Sequence, residues 1–166
     1  MNRFFPQSRA AGALVVAILA FATIAGAWIF EYAGYPPCDL CLDQRYAYYA
    51  GVPLAALVFV LAWARAPRAI VVLGLAALAL IFLGNAAFAV YHSGVEAHLW
   101  QGPTACTGGM AGPADAGDLL KQLETIKVVR CDAVSLRVFG LSLANWNIFI
   151  SAALAALAGR AMFASR

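Results

Sequence analysis

The chain has 166 residues, a length that predicts one domain covering residues 1–166. Hydrophobic residues make up 64% of it and charged residues 11%, against roughly 45–50% and about 25% in an ordinary soluble domain. Water is therefore excluded as the main solvent, and much of the surface is expected to face lipid. The net charge is only +3, and nothing in it indicates binding to nucleic acid.

Long apolar stretches occur at residues 10–30, 46–64, 69–91 and 138–158. A bilayer core about 30 Å thick needs about 20 helical residues to cross it, so each stretch is long enough. The sequence predicts an all-α membrane protein, a bundle of four transmembrane helices. The first stretch also has the basic start of a cleavable signal peptide, but it is longer than the apolar part of such a peptide, so we interpret it as a retained anchor.

The charges between these stretches predict the orientation of the chain. Three segments have no acidic residue: the one before the first stretch, the one between the second and third, and the one after the fourth. Their charged residues are all basic, such as Arg3, Arg65 and Arg160. The other two segments, residues 31–45 and 92–137, contain all eight acidic residues. Because cytoplasmic loops carry an excess of Lys and Arg, both termini are predicted to be cytoplasmic, with segments 31–45 and 92–137 outside.

All four cysteines lie in the two outside segments, Cys38 and Cys41 in the first and Cys106 and Cys131 in the second. Cysteines in an oxidising compartment are expected to pair, and two structural disulfides are one interpretation of this pattern. A disulfide between Cys38 and Cys41 would close too small a loop to stabilise a fold much. The C-x-x-C spacing therefore favours thiol exchange.

The first cysteine pair stands at the entrance to the second apolar stretch. Pro36 and Pro37 keep the chain extended, so Cys38 is predicted to lie just before the helix and Cys41 in its first turn. Free amides at a helix N-terminus and a nearby cation both lower the pKa of a cysteine. Arg45 lies four residues beyond Cys41 on the same helical face, which predicts a functional role for it beyond anchoring at the membrane interface.

Three other interpretations of the cysteines can be weighed. Covalent haem attachment requires C-x-x-C-H, and Leu42 occupies the histidine position. The four cysteines could bind structural zinc, although the second pair lacks C-x-x-C spacing and the compartment favours oxidation. A membrane binding or transport protein with structural or metal-binding cysteines would be expected to carry ionisable residues within its spans. Apart from Asn85, the span centres are nearly free of polar side chains.

The second outside segment has two parts. Residues 102–117 are rich in glycine and proline, so Cys106 is predicted to lie on a mobile stretch that a partner can reach. From Asp118 to Lys127, apolar residues recur at helical spacing. This periodicity predicts a short amphipathic helix on the membrane surface, which would keep Cys131 near the first loop.

Polar and aromatic residues mark the outer ends of the third and fourth stretches. Trp100 and Trp146 are predicted to be interface anchors. Asn145 and Asn147 are predicted to form hydrogen bonds between helices. His92 falls where the third stretch ends, a position at which a histidine usually packs or forms a hydrogen bond.

This arrangement resembles the disulfide bond formation protein B (DsbB) family of bacterial inner membranes. The cysteine pattern is the specific part of the resemblance, and Gln44 departs from it because some members carry an acid at this position. The motifs that carry it extend over nearly the whole chain: Pro37-Cys38-Asp39-Leu40-Cys41 with Gln44-Arg45, Tyr91-His92, Gly102-Pro103-Thr104-Ala105-Cys106, Arg130-Cys131-Asp132, and Phe139-Gly140-Leu141-Ser142 with Trp146.

The resemblance implies a quinone-dependent thiol oxidoreductase that reoxidises a periplasmic thioredoxin-like dithiol protein, DsbA. By position, Cys106 would form the mixed disulfide with this partner, and Cys131 would be its loop mate. Cys38 would exchange with the loop pair. The outside segments would then be periplasmic, and the partners would be the DsbA-like protein, a membrane quinone and the lipid bilayer.

The same resemblance implies where the electrons leave the protein. Cys41 would face the quinone, either ubiquinone or menaquinone, beside Arg45. His92 is a further candidate residue of the quinone site.

Overall fold

The computed structural model describes residues 8–103 and 129–164. Within these ranges, α1 (Arg9–Tyr32), α2 (Asp39–Trp63) and α3 (Arg68–Glu96) are long and apolar enough to cross a membrane. The shorter α4 (Leu143–Met162) packs beside them, and its membrane crossing stays a prediction. Cys106 and the amphipathic helix predicted from Asp118 lie outside the described residues. The elements are α1 Arg9–Tyr32, α2 Asp39–Trp63, α3 Arg68–Glu96, β1 Arg137–Val138, β2 Leu141–Ser142 and α4 Leu143–Met162.

The four described helices pack in a ring, with α1 and α3 each in contact with both α2 and α4. Small and branched side chains such as Ala20, Val58 and Leu75 fill the space between them and are almost completely buried. Large apolar side chains such as Leu73 and Leu80 point outward. Outward-facing leucines suit a lipid solvent, so the described residues form a helical membrane protein, as the composition predicted.

Helix ends follow local chemistry. Ser8 caps α1 by accepting a hydrogen bond from the Ala11 amide, and Ser142 caps α4 by accepting one from the Asn145 amide. Serine is a strongly preferred N-cap because its oxygen satisfies an amide that has no partner within the helix. Cys38 occupies the equivalent position before α2. The sequence placed Cys38 just before this helix and Cys41 in its first turn, and the observed start of α2 agrees.

The end of α3 and the start of α4 differ from the apolar stretches in ways that bear on the site. α3 continues to Glu96, beyond the predicted end at residue 91, which places His92 inside a helix. α4 begins at Leu143 and not at residue 138, because β1 and β2 pair as a short antiparallel hairpin. The turn between them contains Phe139 at φ 51° and Gly140 at φ 85°, and a left-handed pair of this kind cannot continue a helix.

The first and last helices share one end of the bundle. Arg9 is buried at the start of α1, and its Nε donates to the carbonyl oxygen of Met162 at the end of α4, 3.5 Å away. The opposite end carries the α1–α2 connection, the C-terminal end of α3 and the β-hairpin. The cysteines and hydrogen-bonding side chains described next gather at that opposite end.

Candidate active site

The Cys38 and Cys41 thiols lie together at the start of α2. Both are free cysteines, and their Sγ atoms are 2.9 Å apart. The Cys41 amide donates to Cys38 Sγ at 3.4 Å, so sulfur takes the place of the usual capping oxygen. The pair can close into a disulfide by a small movement of the sulfur atoms, because a bonded pair is separated by about 2.05 Å.

His92 approaches the same sulfur from α3. Its Nε2 lies 3.6 Å from Cys38 Sγ, and the imidazole is almost fully buried, with an exposed fraction of 1%. The hydrogen bond from Cys41 and the nearby His92 outweigh burial and lower the pKa of Cys38 to about 5. These contacts therefore favour the thiolate form of Cys38. The sequence had associated the stabilised thiolate with Cys41 and Arg45, whereas the structure associates it with Cys38.

Arg45 pairs with a carboxylate that the sequence analysis did not single out. Its Nη1 donates to Glu31 Oε2 at 2.6 Å, which ties α2 to the last turn of α1. The Arg45 side chain is 11% exposed and that of Glu31 is 44% exposed. The pair therefore stands between the interior and solvent.

A cavity of about 400 Å³, here called the site cavity, connects these residues. Its lining is mostly apolar and comes from α1, the Pro36–Pro37 segment, the β-hairpin and α4. The polar side of the lining contains Cys38, Cys41, Arg45 and His92. The structure thus brings four of the five predicted site residues that it describes to one cavity.

Glu96 also lines the site cavity and was missed in the sequence analysis. Its Oε1 lies 4.0 Å from His92 Nε2, and its Oε2 accepts a hydrogen bond from the Ser142 hydroxyl at 2.5 Å. Its spacing of four residues from His92 was a usable signal, because residues i and i+4 share a helix face. That signal depended on α3 continuing beyond residue 91.

Cys131, the fifth of these residues, packs beside the dithiol rather than in the lining of the cavity. It is disulfide-bonded, its exposed fraction is 1%, and it belongs to one buried cluster with Cys38, Leu40 and Val95. Its neighbours Arg130 and Asp132 form a two-point ion pair, with N–O distances of 2.9 and 2.6 Å. The prediction that Cys106 is the other member of this pair lies outside the described residues.

A metal ion is a second kind of ligand to consider. The sulfurs of Cys38 and Cys41 and a ring nitrogen of His92 all lie within 4.8 Å of one another, and thiolates and imidazole are ligands that zinc and copper favour. The tetrathiolate zinc site weighed from the sequence does not form in this state, because the disulfide-bonded Cys131 cannot supply a thiolate.

A membrane-embedded helical bundle with a C-x-x-C dithiol beside an apolar cavity defines a membrane thiol oxidoreductase. Residues 9–161 match the family model described as disulfide bond formation protein DsbB. The chain belongs to this family, which confirms the resemblance found in the sequence. No curated protein and no solved structure was found to match the chain. Family membership implies a disulfide-generating membrane oxidoreductase and disfavours the binding or transport protein.

Proposed function

We propose that this protein reoxidises a DsbA-like dithiol protein in the periplasm and passes the electrons to membrane quinone. The observation that carries the proposal is the position of the reduced Cys38–Cys41 pair in the wall of the largely apolar site cavity. A soluble thiol partner does not need an apolar cavity, whereas a lipid-soluble electron acceptor does. The family membership supplies the thiol chemistry, and the cavity supports the choice of acceptor.

Two thiol–disulfide exchanges and one oxidation make up the proposed cycle. The partner dithiol reduces a Cys106–Cys131 disulfide and leaves as a disulfide. The reduced loop pair then reduces a Cys38–Cys41 disulfide, which restores the loop disulfide. The Cys38–Cys41 dithiol finally loses two electrons and two protons as its own disulfide forms again. A free Cys38–Cys41 dithiol beside a disulfide-bonded Cys131 corresponds to the state that precedes this last step.

The packing of Cys131 against Cys38 supports the second exchange. In this step the Cys131 thiolate attacks Cys38 Sγ, so a Cys131–Cys38 bond forms and Cys41 leaves. Cys106 then attacks Cys131, and Cys38 leaves as a thiolate. A thiol of low pKa is a good leaving group in such exchanges, and the pKa of Cys38, lowered to about 5, suits that role.

The site cavity fits a quinone in size and chemistry. Its volume of about 400 Å³ lies within the range of about 300–1,000 Å³ that is usual for small-molecule sites. A bound quinone, ubiquinone or menaquinone, would accept the two electrons and two protons that the dithiol releases. Arg45 would hold its polar end, and Cys41 would face it. Both ring nitrogens of His92, the further candidate residue, already contact Gln44 and Cys38, so we assign His92 to the sulfur side of the site. Arg45 keeps a fixed positive charge where negative charge develops, which is the arrangement that stabilises such charge best.

The proposed orientation places the cysteines in the periplasm and both termini in the cytoplasm of a bacterial cell with an inner membrane. The excess of basic residues at the predicted inner segments supports it. The hydrogen bond between Arg9 and the Met162 carbonyl supports a common side for the two ends. This orientation requires α4 to span the membrane as the fourth helix.

A Cys106→Ser variant tests the division of labour between the two cysteine pairs. The variant should lose reaction with a reduced DsbA-like protein, while quinone still oxidises its Cys38–Cys41 pair. Thiol trapping with and without added quinone measures both states, and Cys131→Ser is the matched control. Partner oxidation at the original rate in Cys106→Ser would contradict the proposal. A stable mixed disulfide through Cys131 would contradict the assigned roles of the loop cysteines by reversing them.

A further inference from the structure

A continuous line of hydrogen bonds leads from the middle of the bundle to His92. Its members, here called the amide chain, come from α2, α3 and α4 and are mostly buried. No buried side-chain nitrogen or oxygen in residues 8–103 and 129–164 lacks a hydrogen-bond partner. A buried polar network in which every group is satisfied favours one arrangement of its hydrogens. The amide chain consists of Asn85, Ser151, Tyr48, Asn147 and Gln44.

The hydroxyl groups determine which way the Asn147 amide points. Tyr48 and Ser151 both donate to Asn147 Oδ1, at 2.5 and 3.1 Å. Ser151 in turn accepts a hydrogen bond from Asn85 Nδ2 at 2.9 Å. If the Asn147 amide were turned over, its NH2 group would face both hydroxyls, and their two hydrogens would compete for the single Tyr48–Ser151 contact. The observed orientation gives each hydroxyl hydrogen an acceptor.

The orientation of Asn147 then determines that of Gln44. With Oδ1 occupied by the hydroxyls, Asn147 Nδ2 donates to Gln44 Oε1 at 2.6 Å. Gln44 must therefore present its NH2 group to His92, and Nε2 lies 3.0 Å from His92 Nδ1. An amide NH2 can only donate, so His92 Nδ1 is the acceptor and carries no proton.

We propose that Gln44, oriented by Asn147, is a positioning residue that holds His92 as a neutral imidazole with its proton on Nε2. That proton faces Cys38 Sγ, 3.6 Å away, and allows His92 to donate to the sulfur without carrying a charge. The nitrogen that faces the dithiol is then a donor, so it cannot coordinate a metal ion until it loses this proton. The tautomer follows from the hydrogen bonds, whereas its role in stabilising the Cys38 thiolate rests on the proposed function.

Nuclear magnetic resonance of ¹⁵N-labelled histidine tests the tautomer directly. The chain contains two histidines, so a His98→Gln background leaves His92 as the only signal. In the reduced protein, Nδ1 should resonate as an unprotonated nitrogen that accepts a hydrogen bond, and Nε2 as a protonated nitrogen. A protonated Nδ1 in this background would overturn the proposal.

Substitution of Gln44 tests whether the amide causes the tautomer. A carboxylate accepts and cannot donate, so in Gln44→Glu the imidazole should carry a proton on Nδ1, taken from Nε2 or from solvent, and the Nδ1 signal should shift to that of a protonated nitrogen. Gln44→Leu removes the donor altogether, and the two tautomers should then coexist. Wild-type signals in both variants would show that Gln44 does not hold His92 and would overturn the assignment.

A substitution at a residue that does not contact His92 provides the strictest test of the proposal. Asn147→Leu removes the donor to Gln44 Oε1, which frees the Gln44 amide to turn over, so the Nδ1 and Nε2 signals should move toward a mixture of tautomers. The matched control is Asn145→Leu, because Asn145 accepts from Ser93 on α3 and is not part of the amide chain. Equal shifts in the two variants would overturn the proposal. None of these spectra needs quinone or partner, so their failure is distinguishable from failure of the proposed function.

Discussion

Arg45 and His92 line the same cavity as the dithiol and are held in opposite ways. Arg45 is fixed by the carboxylate of Glu31, which is nearly half exposed, at the last turn of α1. His92 is almost fully buried and is held by the amide of Gln44. The site therefore combines a permanent charge, paired with a half-exposed carboxylate, and a hydrogen-bond donor in the interior.

This combination shows how one dithiol can serve two kinds of reaction. With an amide donor on Nδ1, the buried imidazole is neutral and still donates to Cys38. Arg45, paired with Glu31, can remain charged at the cavity wall. We therefore expect Arg45 to act on the electron acceptor and His92 to act on the sulfur.

The largest effect is expected when Arg45 loses its charge but keeps its bulk. Arg45→Met should lower steady-state quinone reduction by about a hundredfold or more, because removing one well-placed donor to a developing negative charge costs about 2.7–4 kcal/mol. Arg45→Lys keeps the charge without the planar set of donors and should retain part of the activity. Assays with purified protein and defined quinones measure both, and an unchanged rate with unchanged apparent quinone affinity in Arg45→Met would exclude this role.

A smaller effect is expected from His92, and it should appear at the sulfur. Because the pKa of Cys38 is about 5, its alkylation should slow as the pH falls through about 5, where the thiolate becomes protonated. His92→Leu removes one of the groups that lower this pKa, so the midpoint should move to higher pH, with a slower reaction near pH 6 and little change near pH 9.

Mass spectrometry of the Cys38 peptide after timed alkylation measures this profile in wild-type protein and in His92→Leu. The matched control is His98→Leu, because His98 lies beyond the end of α3. An unmoved midpoint in His92→Leu would remove His92 from the thiolate environment. A midpoint that moved equally in both variants would show a general effect of losing a histidine.

The smallest effect is expected from Glu31. Glu31→Gln leaves Arg45 charged and able to donate to a neutral oxygen, and half-exposed ion pairs contribute only about 0.2–1 kcal/mol. Quinone reduction should therefore change by less than about fivefold, and the change should shrink at high salt. A loss as large as that of Arg45→Met would mean that Glu31 positions Arg45 and that the two residues act as one unit.

The sequence predicted those features of the fold that depend on local composition and spacing. Apolar stretches located the helices, and the proline pair located the start of α2, because both signals arise from neighbouring residues. The late start of α4 was missed because Phe139 rarely adopts a left-handed conformation. Apolar content alone could not distinguish the hairpin from a first helical turn.

The candidate site was predictable only in part, for a related reason. Cys38, Cys41 and Arg45 follow one another at short spacings within one segment, so the sequence alone indicated that they act together. The contact between Gln44 and Asn147 joins residues that are 103 positions apart, and it depends on how α2 and α4 pack. The association of His92 with Cys38 likewise required the packing of α3 against α2. No motif in a single sequence encodes such pairs.

In the proposed cycle, the Cys38–Cys41 dithiol itself delivers electrons to quinone. The most direct measurement uses a Cys106→Ser, Cys131→Ser double variant, reduced, freed of oxygen and mixed with one defined quinone in lipid discs. We expect one quinol per protein molecule, together with one Cys38–Cys41 disulfide, without any thiol partner. No quinol, or quinol formed while both cysteines remain free for alkylation, would contradict it.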